Sequence, residues 1–196
     1  MGNWIDACAY WGRWGVRTPG VNDVDTFLAK MDRWKVEVAA LTGLRALVDN
    51  TRLGIREVAE VVRQAPERFV GVGCINPMLG AAALEELARC QADGFRALRL
   101  YPAQHLYTVR DRSVLDPLFE RAAAARQPVY WTGCPTPGSI LGSTPLDGLE
   151  DLARAHPTVP IVLSAYNYRD CTRIQMLMRA TSNVYLEIST YHGVEG

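Results

Sequence analysis

The 196-residue chain has only three histidines, no excess of either charge and no long apolar run. Its 21 basic and 21 acidic residues cancel, so the formal net charge is zero. Nucleic-acid binding rests on a basic surface, so a polyanion is excluded as the expected partner. No stretch approaches the ~20 apolar residues that cross a bilayer, and no membrane partner is expected. The opening Met1-Gly2-Asn3-Trp4-Ile5-Asp6 has no basic segment before an apolar one, and Asp6 leaves the myristoylation pattern incomplete. Cys8, Cys74, Cys90, Cys134 and Cys171 are odd in number and form no CxxC pair, as reduced thiols in a cytoplasm would. A cytoplasmic location is therefore expected.

What is present is alternation. Short β-rich runs fall at Trp4–Tyr10, Val36–Leu41, Phe69–Ile75, Phe95–Tyr101, Pro128–Thr132, Pro160–Ser164 and Asn183–Ser189. Apolar residues at helical spacing lie between most of them: Ile55, Val58, Ala59 and Val62; Leu84, Leu87 and Ala88; Leu115, Leu118, Phe119 and Ala122; Ile174, Leu177 and Met178. Thr144 before Pro145 reads as a helix N-cap with proline in the first turn. Strands joined by helices pair in parallel, because parallel neighbours need a long crossover. A closed barrel and an open doubly wound sheet both fit. No GxGxxG and no phosphate loop occurs, which removes the best support for the nucleotide-binding sheet. The reading is α/β, a (β/α) TIM-like barrel of about seven of eight strand–helix units, forming one domain over residues 1–196.

Several of these stretches resemble the amidohydrolase-related barrel family, which contains metal-dependent carbon–nitrogen hydrolases and carboxylate decarboxylases. Ile5-Asp6-Ala7-Cys8-Ala9-Tyr10 resembles its opening strand, and Arg68-Phe69-Val70-Gly71 with Ile75-Asn76-Pro77 its third. Gly94 to Pro102 resembles the fourth, Pro128-Val129 the fifth, Pro160 to Ser164 the sixth and Asn183 to Ser189 the seventh. The family's two opening histidines fall on Cys8 and Tyr10, its fifth-strand histidine on Thr132 and its sixth-strand histidine on Ala165. A catalytic zinc takes about three protein donors, so no metal and no cofactor are expected. A subset with an opening like Ile-Asp-x-Asn-x-Tyr-x-Gly and no metal histidines is a closer resemblance. A site rebuilt from Cys8, Cys134 and His192 is the competing reading. The chain ends soon after the seventh strand, where barrels of this kind run to about 250 residues. The expectation is a shortened form, an incomplete gene product or a protomer completed by another chain, and hence a possible homo-oligomer.

The resemblance places active-site residues at the carboxyl ends of the strands. Alternation anchored on the family's ligand positions points Cys8, Tyr10, Arg99, Tyr101, Thr132, Cys134, Ala165, Glu187, Ser189 and Tyr191 inward. Asp6 is placed one layer below Cys8, and Cys74 toward the helices. Charges facing a barrel interior are costly unless paired or functional. Arg99 and Glu187 are therefore either a buried salt bridge or a working pair. In the second reading Arg99 anchors a substrate carboxylate or phosphate, and Glu187 is a general base or acid. Tyr10 and Tyr101 donate to an oxyanion, and His105 transfers protons. Arg13 and Thr132 complete the substrate-binding set. His105 and His192 read equally as polar loop residues, His156 as a surface residue at a helix end, and Cys8 as a small buried thiol or a nucleophile. Trp11 and Trp14 are assigned to packing over the barrel top, and Gly133 to Gly148 to a lid. A small carboxylated or aromatic molecule is the expected ligand, handled by hydrolysis or carbon–carbon cleavage. A catalytically inactive barrel serving as a ligand-binding or assembly partner is the alternative.

Overall fold

The computed structural model describes residues 4–13, 23–133 and 145–188. Along them run β1 (Trp4–Trp11), α1 (Val24–Trp34), β2 (Val36–Gly43), α2 (Leu44–Val48), α3 (Thr51–Gln64), β3 (Phe69–Cys74), α4 (Ala81–Ala92) and β4 (Ala97–Leu100). Then follow α5 (Pro102–His105), α6 (Arg112–Ala124), β5 (Val129–Thr132), α7 (Leu149–Ala155), β6 (Ile161–Ser164), α8 (Cys171–Ala180) and β7 (Val184–Leu186). Strand order is sequence order, β1 to β7, and the described pairings are parallel. The class is α/β, a (β/α) TIM-like barrel with seven of its eight strand–helix units; a doubly wound sheet reverses its order part-way. Among the described residues no helix is long and apolar enough to cross a membrane.

The chain divides into two compact units, Met1–Cys74 with Ala88–Arg96 and Ile75–Leu87 with Ala97–Gly196. In the first, β1 pairs with β2 and β2 with β3. Asp23 starts α1 by accepting from the Thr26 N–H at 2.6 Å, and Asn50 starts α3 by accepting from Leu53 at 3.0 Å, each satisfying an orphan donor of a first turn. The buried stripe of α3 is Ile55, Val58, Ala59 and Val61; Val62 is only half-buried. Phe27 stands edge-on to Phe69 at 5.5 Å and beside Trp11 at 6.2 Å, so Trp11 packs under α1. Arg68 ties the start of the sheet together, donating to the carbonyls of Glu37 (2.9 Å) and Val36 (3.1 Å) and to Asp32 (2.7 Å).

Cys74 corrects its expected direction. A side chain on Gly71 would stand 2.7 Å from Phe95 Cγ, and one on Gly73 would stand 2.9 Å from Cys90 Sγ of α4. The glycine face of β3 is thus the helix face, and Cys74, sharing parity with Val70 and Val72, points the other way. The helix sits so close that only glycine fits beneath it, which makes the covered side look less apolar in sequence than the opposite one.

The second unit carries β4 to β7 in one parallel ladder. Leu115, Leu118, Phe119 and Ala122 bury one side of α6 as the spacing requires. On α8 only Ile174 and Leu177 are buried, and Met178 is exposed. The expected cap at Thr144 is not where α7 starts: Pro145 is outside the helix, which begins at Leu149 after Gly148 (φ +81). A left-handed residue there needs glycine. His156 also differs from its surface assignment. Its Nε2 lies 2.8 Å from Asp116 Oδ1 and its ring 5.0 Å from Phe119, with 11% of the side chain exposed, so it pins the end of α7 to α6. Burial opposes ionisation of Asp116, but hydrogen bonds from His156 and Arg112 hold its carboxyl below the usual range.

Candidate functional site

In a parallel ladder, residues in register share a face. Arg99 pairs with Tyr130, Tyr130 with Val162, and Thr132 with Ser164. Val162 pairs with Tyr185, and the Glu187 N–H continues that ladder to Leu163 O at 2.8 Å. One face of the second unit therefore presents Arg99, Tyr130, Thr132, Ser164 and Glu187. The alternate residues, Leu98, Leu100, Val129, Trp131, Ile161, Leu163 and Val184, are all buried and apolar. Polar groups are concentrated on one side of an otherwise hydrophobic sheet.

Arg99 is 0% exposed, and its guanidinium carbon lies 4.5 Å over the Tyr130 ring. A desolvated cation over an aromatic face gains about 2 kcal/mol or more, which helps hold a buried charge in place. Thr132 ends β5 fully buried. The Ser164 hydroxyl donates to Glu187 Oε2 at 3.3 Å, and Glu187 is half-buried. Tyr101, two residues beyond Arg99, is fully buried. Its ring meets His105 at 6.0 Å, His105 meets Tyr107 at 6.5 Å, and Tyr107 stands edge-on to Trp131 at 6.1 Å. Burial holds the His105 imidazole below the usual histidine range, favouring its neutral form. Beyond β6, burial pushes the Tyr166 phenol up and the Asp170 carboxylate adds to this, so Tyr166 is a neutral donor at physiological pH.

The structure brings Arg99, Thr132 and Glu187 onto one face and places Tyr101 and His105 just past β4. Ala165, expected to point inward, lies just past β6, where strand alternation ends. Its φ is +57, and Ser164 shares the face of Thr132 and Glu187. Tyr130 and Ser164 were missed; strand alternation from Thr132 would have found Tyr130, whereas Ser164 emerges only from its pairing with Thr132 across the ladder. Ala165 has no donor atom and Thr132 offers only a hydroxyl, so these two residues do not fit the nitrogen, sulfur and carboxylate donors that a catalytic zinc takes. Among the described residues, no three His, Cys, Asp or Glu side chains cluster tightly enough to hold a metal ion. Cys134, Ser189, Tyr191, His192, Trp14 and most of the Gly133–Gly148 segment lie outside the described residues.

Tyr10 and Arg13 belong to the first unit. Tyr10 pairs with Thr42 on β2, on the face opposite Trp11. The layer expected at Asp6 is displaced by a register shift between Asp6 and Ala9: Asp6 is exposed, and its carboxylate accepts the Cys8 N–H at 2.9 Å. Arg13 is exposed and lines a cavity with residues of α2 and α3.

The family profile described as Amidohydrolase matches residues 7–193, and the chain belongs to the amidohydrolase family. Among curated proteins no match is found. Among solved structures, 2,6-dihydroxybenzoate decarboxylase from Rhizobium is similar, with a TM-score of 0.61 at 18% identity over 91% of this chain and 70% of that one. 4-Oxalomesaconate hydratase from Rhodopseudomonas palustris has a TM-score of 0.64 at 12% identity, over 96% of this chain and 75% of that one. 5-Carboxyvanillate decarboxylase from Novosphingobium aromaticivorans, solved with bound manganese, has a TM-score of 0.60 at 18% identity and matches over 80% of this chain. The match spans only 53% of that decarboxylase's length. At these identities the likeness is one of fold.

Proposed function

We propose that the chain acts on a small carboxylated or aromatic molecule, by hydrolysis or non-oxidative carbon–carbon cleavage, at the polar face of its second unit. The observation that carries this reading is a fully buried arginine, Arg99, stacked on Tyr130 and sharing its face with Thr132, Ser164 and Glu187. In this proposal Arg99 holds a ligand carboxylate through two guanidinium N–H groups. Glu187, steadied by Ser164, takes or returns a proton. The Tyr101 hydroxyl donates to oxygen that gains negative charge. His105, kept neutral by burial, relays a proton or offers a hydrogen bond, and Thr132 contacts the ligand.

Support from relatives is of kind only, since two of the similar structures are named as decarboxylases and one as a hydratase. A second reading, a ligand-binding barrel without turnover, is favoured by Thr132, which offers only a hydroxyl at a position where the resemblance would place a metal-binding histidine.

The test is binding and turnover of a panel of benzoates and short dicarboxylates, with and without chelator, in the parent chain and in Arg99→Ala and Arg99→Lys. Loss of a charge-assisted hydrogen bond corresponds to about 1.5–3 kcal/mol, so Arg99→Ala weakens carboxylate binding about tenfold or more at unchanged helical content. Arg99→Lys restores part of it. Undiminished binding in Arg99→Ala refutes the anchor; binding without turnover in any condition favours the second reading.

A further inference from the structure

The first unit holds a cavity that the proposed site does not use. Its volume is about 460 Å³, within the ~300–1,000 Å³ range of small-molecule sites. Trp11, Val48 and Val61 supply apolar walls, while Arg13, Arg45, Asp49, Glu57 and Glu60 supply charge. Arg45 is already engaged, with Nη1 2.8 Å from Glu57 Oε1 and Nε 3.9 Å from Asp49 Oδ2. Arg13 and Glu60 differ. They carry opposite charges on the same cavity, and neither side chain makes an ion pair among the described residues.

From this arrangement we infer that the cavity binds a small molecule bearing both a carboxylate and an ammonium group. The carboxylate meets the Arg13 guanidinium, whose planar fork matches two carboxylate oxygens. The ammonium meets the Glu60 carboxylate, and the carbon chain between them lies against Trp11 and Val61. A ligand with one charge makes one of the two ion pairs and leaves the other end to water, so it forgoes half of the electrostatic gain. The site should therefore select for two charges and for the spacing between them. This inference stands apart from the chemistry proposed for the second unit, since it uses none of the same residues.

Straight-chain ω-amino carboxylates, from glycine to 6-aminohexanoate, are the probes. They are titrated into the full chain while the amide ¹⁵N shifts of Val48 and Val61 are followed. Binding is expected to peak at one chain length. Exposed charge pairs contribute modestly, so Arg13→Ala and Glu60→Ala should each weaken the best probe about fivefold. Glu60→Asp, one methylene shorter, should move the optimum to a longer probe. Acetate and butylamine, with one charge each, should bind no better than the weakened variants. Arg13 and Glu60 are exposed, so these substitutions leave the fold intact, which circular dichroism checks. Equal binding by acetate or butylamine, no dependence on chain length, unchanged affinity in both alanine variants, or no shift at Val48 and Val61 with any probe overturns the inference.

Discussion

Asn183 offers the sharpest test of how the second unit is held together. Its side-chain Nδ2 donates to three backbone carbonyls, those of Val159 at 2.9 Å, His156 at 3.0 Å and Ala153 at 3.2 Å, while the residue itself is 7% exposed. The sequence explains the need. In a helix the Ala153 carbonyl would accept from the residue four further on, but that residue is Pro157, which has no N–H. The His156 carbonyl already accepts from Val159 N at 3.1 Å, so Ala153 and Val159 depend most on the amide. Stranding a buried acceptor costs about 1–3 kcal/mol. With two acceptors stranded and some water entering, Asn183→Ala should lose about 2–4 kcal/mol. At a urea slope of about 2 kcal/mol/M, the midpoint falls by about 1–2 M. Asn183→Asp separates lost donation from lost volume. It keeps the shape but turns a carboxylate toward carbonyl oxygens, so at neutral pH it should be less stable than Asn183→Ala. Those oxygens raise the introduced carboxyl's folded-state pKa above its unfolded one. Its protonated form can donate, so stability relative to the parent is greatest below the unfolded value and is lost as pH rises through the folded one. A midpoint for Asn183→Ala within about 0.3 M of the parent, or an Asp variant equal to Ala at pH 7, would refute the reasoning.

Other outcomes follow from the same packing. Burial depresses the folded-state pKa of His105, so the unfolded chain binds its proton first as pH falls below about 6.5. Stability should decline over that window and less so in His105→Gln, with a ring-proton NMR titration of His105 centred below 6.5. Gly71→Ala places a methyl against the buried Phe95 ring and should cost about 1–3 kcal/mol in chemical denaturation. Phe95→Leu in the same chain should recover part of it, whereas strictly additive losses would show that the ring is not the obstacle.

Much of the architecture was legible before any coordinates. The seven apolar runs sit within a few residues of β1 to β7, because helices cover one side of each strand and the pattern between strands carries a helical period. Arg99 and Glu187 stood out for the reason they still do, as charges on or directly after strands that are otherwise uncharged. Four things were not legible. Gly71 and Gly73 hide the helix-facing side of β3, since close approach there is achieved by having no side chain. The start of α7 depends on a left-handed Gly148, which gives no apolar signal. Ser164 looked like the residue before the important one, and only the ladder to β7 puts it beside Glu187. The shift in register between Asp6 and Ala9 is likewise invisible to a period of two.

The segregation of the second unit's sheet into an apolar side and a polar side has an evolutionary corollary. Leu98, Leu100, Val129, Trp131, Ile161 and Leu163 are committed to the helices they support, and exchanging any of them taxes the whole scaffold. Tyr130, Thr132 and Ser164 are buried on the other side, beside Arg99 and Glu187. Because alternate residues of one strand face opposite ways, a change on the polar side leaves the apolar side's contacts in place. Tyr130 and Ser164 are tied to Arg99 and Glu187, however, so that side changes in coupled pairs and not one residue at a time.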